Sequence, residues 1–509
     1  HPDVTRVLAR SIMNDRQRVE FDLGQGKNIW ASETFSEPVT ITGQLSQVVD
    51  PSTTLPAGLG FTDTHIQGSL INRADITLDS QGKTIRAMAI DPMYWTGPSN
   101  LPPSTITGDV IQAGNILMSH GGYEGLEIGD ATIGGSVINS GTIRSTAPLP
   151  NAPTLGFVGG GEGIYLHGTT IGGDVSNTGV INMDGRGATG LILDVDGATP
   201  TTIGGKILNS GTIKATGEGA WGIEVETDTS PLRIENSGLV SANGLGARGM
   251  LVYQGTFDYI LNTGTIEGVG TDAGAFEFSG ADFVQNSATG SRGIVNRGII
   301  RADGTAISVN PADQVSTFEI NQQAGEIRSN SGTAIDAANL ATLNWTGGNI
   351  IGDVLNLNAV NIDGQAGFTG RRIIAPVSIN SGSLNLSAPG TAITGNLNVA
   401  SGAGIDMHLS DSVVPTTAYL TVNGNATFAN ASKLTVSANP GDFASTNDGT
   451  QYTLLQATSV QDNGLSVNSA SALLDVLSYS ADAQTVKAVV AVKADGQVQE
   501  ELAGVGASA

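Results

Sequence analysis

The residues of this chain that could do chemistry are few and far apart. Its five histidines, His1, His65, His120, His167 and His408, stand on separate stretches, with no pair at the spacing that puts two metal ligands on one element. There is no Cys, which excludes disulfides and thiolate metal sites. Asp194-Val195-Asp196-Gly197 has the opening of a calcium loop without its later ligands and reads as a solvated acidic turn. Three segments match Gly-x-Gly-x-x-Gly, starting at Gly185, Gly217 and Gly244. A dinucleotide site needs a helix after the glycines, whereas each of these runs into another β-like stretch, so they read as turns. Gly82-Lys83-Thr84 resembles the end of a phosphate-binding loop, but Thr77 stands where its first glycine belongs. No Gly-x-Ser-x-Gly nucleophile elbow is present. The expectation is therefore no catalytic residue, no cofactor and no resident metal.

What positions these residues is a repeat. Asn-Ser/Thr-Gly-x-Ile/Val recurs at Asn139, Asn177, Asn209, Asn236 and Asn262, with looser copies at Asn72, Gln112, Asn296 and Gln323. From Gln112 to Gln323 the steps are 27, 38, 32, 27, 26, 34 and 27 residues, a unit of 26 or 27 with insertions at one phase. Each copy is followed by an alternating stretch, such as Gly125-Leu126-Glu127-Ile128 or Gly222-Ile223-Glu224-Val225. Several are preceded by a third, such as Ile133-Gly134-Gly135-Ser136-Val137. Three short strands per unit predict an all-β fold, a right-handed parallel β-helix, because one coil buries too little alone and stacking joins the apolar faces into one core. Asn139, Asn177, Asn209, Asn236, Asn262 and Asn296 would then form one structural column, their amides bonding from coil to coil. The glycine two places after each Asn suits a turn where a Cβ would clash or φ is positive.

The same phase yields an enzyme alternative. Outward positions of the second stretch read Glu127, Tyr165, Ile192, Glu224, Leu251 and Glu277. Glu224 and Glu277, two coils apart, would stand roughly 9 to 10 Å from each other, near the upper limit for an inverting carboxylate pair. Aromatics are scarce, 5% of the chain. Those in insertions, Tyr94, Trp95, Trp221, Tyr253, Phe257 and Tyr259, are therefore candidate contacts for a glycan or protein.

The chain has 509 residues, 70 of them Gly, and a formal charge of −24. That acidity argues against nucleic acid or an anionic membrane as partner. No run of 18 apolar residues offers a membrane-spanning helix. Residues 1–65 read as an N-terminal cap and first coils, 66–345 as coils with variable insertions, 346–449 as a stem of shorter coils, 450–493 as a strand-rich C-terminal cap, and 494–509 as a flexible linker.

Taken together, the Asn-Ser-Gly-Thr-Ile coils, Trp345-Thr346-Gly347-Gly348-Asn349-Ile350, and the closing Gly449-Thr450-Gln451-Tyr452-Thr453-Leu454-Leu455-Gln456 with Tyr479-Ser480-Ala481-Asp482 resemble the passenger of a Gram-negative type Va autotransporter of the pertactin-like class. The resemblance implies that residues 450–493 are an autochaperone-like cap and that the linker leads toward an outer-membrane β-barrel translocator. It also implies export through the periplasm and outer membrane to the cell surface. The function expected of such a passenger is a non-enzymatic adhesin serving cell adhesion, self-aggregation or biofilm formation. Its partner would be a host-cell or matrix protein, a glycan, or another copy of itself. A carbohydrate-active β-helix enzyme, lyase or hydrolase, is the alternative.

Overall fold

A computed structural model describes residues 18–49, 58–81, 85–91, 101–121, 124–146, 160–284, 293–310 and 314–504. The chain divides into two units, one of His1–Arg292 with Asn310–Val315 and one of Gly293–Val309 with Ser316–Ala509. Tyr94 and Trp95 lie outside the described residues, as does Gly82-Lys83-Thr84.

The first unit is a parallel β-helix. Its alternating stretches become strands too short to be stable singly, and each pairs in parallel with the equivalent strand of the coil before and the coil after. Val137–Asn139 lies in register between Val110–Gln112 and Val175–Asn177. Thr142–Ser145 lies between Asn115–Ser119 and Val180–Asp184, and Glu162–His167 between Glu124–Gly129 and Thr189–Asp194. A two-residue strand precedes the Asn strand, as at Thr132–Ile133, and is cut off from it by Gly134 and Gly135. A Cβ on either glycine would overlap the backbone of the coil beneath.

Period-two alternation turns one set of side chains inward, and parallel register stacks like upon like. Ile76, Ile116, Ile143, Ile181, Ile213, Val240 and Ile266 form one such buried column. Met88, Leu126, Ile164, Leu191, Ile223, Met250 and Phe276 form another. Each such side chain contributes roughly 1.5–3 kcal/mol by leaving water. Near the start of the unit Val19–Asp22 pairs with Val39–Thr42, and Trp30 is fully buried between Phe21 and Phe61, at ring distances of 5.1 and 5.2 Å.

The second unit repeats the plan with shorter coils: Trp345 pairs with Ile362 and Ile362 with Ile379. Trp345 is fully buried and donates its indole N–H to the carbonyl of Gly348. Parallel stacking gives way at Asn447–Asp462, which pairs in parallel with Leu420–Phe428 but antiparallel with Thr485–Val492. Thr485–Val492 in turn takes Leu474–Ala481 antiparallel. Val486, Ala488, Val490 and Val492 close the core from this meander. Helix Asp495–Gly504 follows.

The repeated Asn residues make a continuous ladder in the first unit. Asn139 donates its amide to Asn177, Asn177 to Asn209 and Asn209 to Asn236, each at 2.8 Å, and Asn236 to Asn262 at 2.9 Å. Asn72 donates likewise to Gln112 and, in the second unit, Asn296 to Gln322. From Asn139 to Asn262, and at Asn296, each amide also reaches the carbonyl of the turn glycine two places on, as Asn209 does to Gly211. The side chains are buried, so the rungs satisfy groups that water cannot reach, the Asn139 amide oxygen at the head of the run excepted. The glycines of these turns are required by contact: a Cβ on Gly211 would overlap the Gly179 carbonyl, whereas its φ lies outside the left-handed region. Asn209→Leu should therefore cost about 1–3 kcal/mol in urea denaturation, through the unsatisfied polar groups it leaves. Gly211→Ala should also destabilise, while Asn468→Ala on the exposed surface should not.

Candidate functional site

The third sheet of the first unit carries an unusual outward face. Gly125, Gly163, Gly190 and Gly222 each sit where a Cβ would meet the following coil's carbonyl and a core Ile or Val. These glycines occupy an extra place in the strand, so that residues three apart share one side. Arg86 demonstrates this, since its Nε contacts both Glu124, at 3.0 Å, and Glu127, at 2.5 Å. Arg86, Glu124, Glu162 and Thr189 follow one another in register. Beside them run Ala89, Glu127, Tyr165, Ile192 and Glu224.

This face is not exposed. Asp91, Glu124, Glu127 and His167 are 1%, 0%, 0% and 5% accessible. His167 Nε2 lies 3.0 Å from Glu127 Oε1 and 3.4 Å from Asp91 Oδ2, and Nδ1 lies 3.9 Å from Asp196. The ring stacks on Tyr165 at 4.6 Å. Glu124 Oε1 and Glu162 Oε2 are buried without a hydrogen-bond partner. Asp91 and His167 stand two coils apart and meet because the place between them is Gly129, where a Cβ would overlap the imidazole and the Asp91 carboxylate.

Burial sets the charge states. It lowers the affinity of His167 for its proton, but hydrogen bonds to Asp91 and Glu127 outweigh it and hold the imidazolium up to about 10. Desolvation, then the charge of Glu127, lifts Glu162 to about 8 and Glu124 well above the carboxylate range. Desolvation and a shared hydrogen bond with Asp196 lift Asp130 to about 6. The face thus mixes ionised and protonated carboxyls around two cations, an arrangement able to hold protons or a metal ion.

The candidates read from the sequence fall differently. Tyr253 is 43% exposed, with Trp221 against it edge to face at 6.0 Å. Tyr259 is partly buried and donates its hydroxyl to Glu235. Phe257 is fully buried, stacked on Phe283 at 5.4 Å, so it belongs to the core and is not available as a contact. Its strand carries register shifts through the insertion, which hid its phase. Glu224 is 4% exposed and shares a hydrogen bond with Glu226, while Glu277 is paired with Arg248. The Asp196 turn closes on Thr199. Sequence alone does not bring Asp91, Glu124, Glu162 and His167 together, because 35 residues lie between Asp91 and Glu127 and 39 between Glu127 and His167. The signal available was their common phase after each coil's turn.

Compared with known proteins, the chain matches no family model, no curated protein and no solved structure.

Glu224 supplies a pH test. Burial first, then the hydrogen bond and charge of Glu226, raise it from 4.5 to about 9, with Glu162 adding to the rise and Thr189 opposing it. Tyr253, whose hydroxyl is raised by burial and then by the charge of Glu224, also stands near it. A carboxyl that holds its proton more tightly when folded contributes fully below about 4.5, and that contribution is lost as pH rises toward 9. Glu224→Gln should leave stability unchanged at pH 4.5 and raise it by roughly 1–3 kcal/mol at pH 9, measured by urea denaturation.

Proposed function

We propose that this chain is the surface-displayed passenger of an autotransporter and acts, without catalysis, as an adhesin that holds cells together by pairing with copies of itself. The observation that carries this reading is a stripe on the second unit. Asn321, Asn344, Asn361, Ser378, Asn398, Thr427 and Gln461 follow one another in register on the outward side of successive coils. All seven are half-buried or exposed, and none is charged, in a chain of net charge −24. Asn344 donates to Asn321 at 3.0 Å and Asn361 to Asn344 at 3.2 Å, which holds the amides in place before any partner arrives.

Amides and hydroxyls both donate and accept, so such a stripe is complementary to its own copy under a twofold axis. The stripe residues carry no charge to repel their copies, and bonds repeated every ~4.8 Å add through multivalency. The antiparallel meander at 447–492 is where the resemblance puts the autochaperone-like cap. Against the carbohydrate-active alternative stands the burial of Glu224, which keeps it from an open cleft shared with Glu277. On this reading the protein is exported through the periplasm and displayed at the cell surface through a β-barrel translocator.

Beads coated with the chain should cluster relative to blank beads, and more strongly at physiological than at low salt, as screening relieves repulsion. Ser378→Asp with Asn398→Asp, neighbours in the stripe, should disperse them with thermal stability unchanged. Wild-type beads dispersed at every salt would overturn the homotypic reading and direct the search to a host protein or glycan.

A further inference from the structure

We infer that Asp91, Glu127 and His167 form a binding site for one divalent transition-metal ion of the Mn2+, Co2+ or Zn2+ class. One ligand atom from each residue lies within 4.8 Å of the other two. Ligands bonded to such an ion at about 2.1 Å stand about 3.0 Å apart at a right angle and about 3.4 Å apart at the tetrahedral angle. His167 Nε2 is 3.0 Å from the Glu127 oxygen and 3.4 Å from the Asp91 oxygen. One imidazole nitrogen with two carboxylates selects a transition ion over Ca2+ or Mg2+, which favour all-oxygen sites.

Three further features make this more than a gathering of acids. The imidazole is held in place: Tyr165 stacks on the ring, and the Asp196 carboxylate stands 3.9 Å from Nδ1, near that nitrogen though beyond hydrogen-bond distance. Room for the ligands to converge from two coils apart is made by Gly129, whose missing side chain leaves the place that His167 and Asp91 share. Finally, the place is dry and short of donors: Asp91 and Glu127 are buried against His167, and beside them the fully buried Glu124 retains a carboxylate oxygen with no hydrogen-bond partner.

The test uses the 509-residue chain, stripped with a chelator and titrated with Mn2+, Co2+, Zn2+ and Ca2+ by calorimetry. One equivalent of a transition ion should bind, with Ca2+ at least tenfold weaker, and the Mn2+ complex should show one imidazole nitrogen by electron spin echo modulation. His167→Gln should remove that nitrogen signal and weaken binding at least 100-fold. Asp196→Asn, which faces Nδ1 of the ring and also shares a hydrogen bond with Asp130, should weaken it more modestly, about tenfold. Gly129→Ala should crowd the ligands and lower affinity, with the fold checked by circular dichroism. Absence of transition-ion binding by the wild-type chain, binding without a nitrogen signal, or binding unchanged in folded His167→Gln would each overturn the site and leave His167 as the centre of a buried ion pair.

Discussion

Parallel pairing of each coil with the next, held in one register, is the constraint on which the other features of each unit rest. A strand of three residues, such as Val137–Asn139, has no stability alone. Between two equivalents its backbone groups are satisfied on both sides, and its Val and Asn fall onto like residues. The apolar columns and the Asn ladder follow from the same register. A one-residue slip would carry the valines to the surface and the amides off their partners. Gly134, Gly179 and Gly211 serve this constraint from the turns, because coils at strand spacing leave no room there for a Cβ.

Stacking also fixes what happens outside the core. Outward residues at one phase are brought within reach of each other whatever their distance in the chain, and their chemistry decides the outcome. Where they are Asn, Ser and Thr, as from Asn321 to Thr427, the result is a neutral hydrogen-bonding stripe. Where they are Glu, Asp, His and Arg, as around Glu127, close approach in a desolvated place forces protons onto Glu124 and Glu162 and a positive charge onto His167. One backbone plan thus yields an accessible neutral stripe and a buried charged cluster.

The parallel β-helix was legible because its signals are local and repeated. Asn209-Ser210-Gly211-Thr212-Ile213 carries the ladder residue, the turn glycine and the inward isoleucine in five positions, and the pattern recurs. Legibility failed where the chain departs from the repeat. Phe257 and Tyr259 lie two residues apart in an insertion, and sequence alone groups them as loop contacts. Register shifts on the way there turn Phe257 into the core and leave Tyr259 bonded to Glu235.

By itself, then, the order of residues determined the fold class and which phase of each coil turns inward, since any apolar side chain stacked on another satisfies the core. Only the tertiary structure decided which outward groups meet. Asp91, Glu127 and His167 depend on particular partners at particular heights, brought together by coil-to-coil register across 35 and 39 residues of intervening chain. Variable insertions remove any fixed spacing between such groups, and their contact through the gap at Gly129 exists only once the coils are stacked.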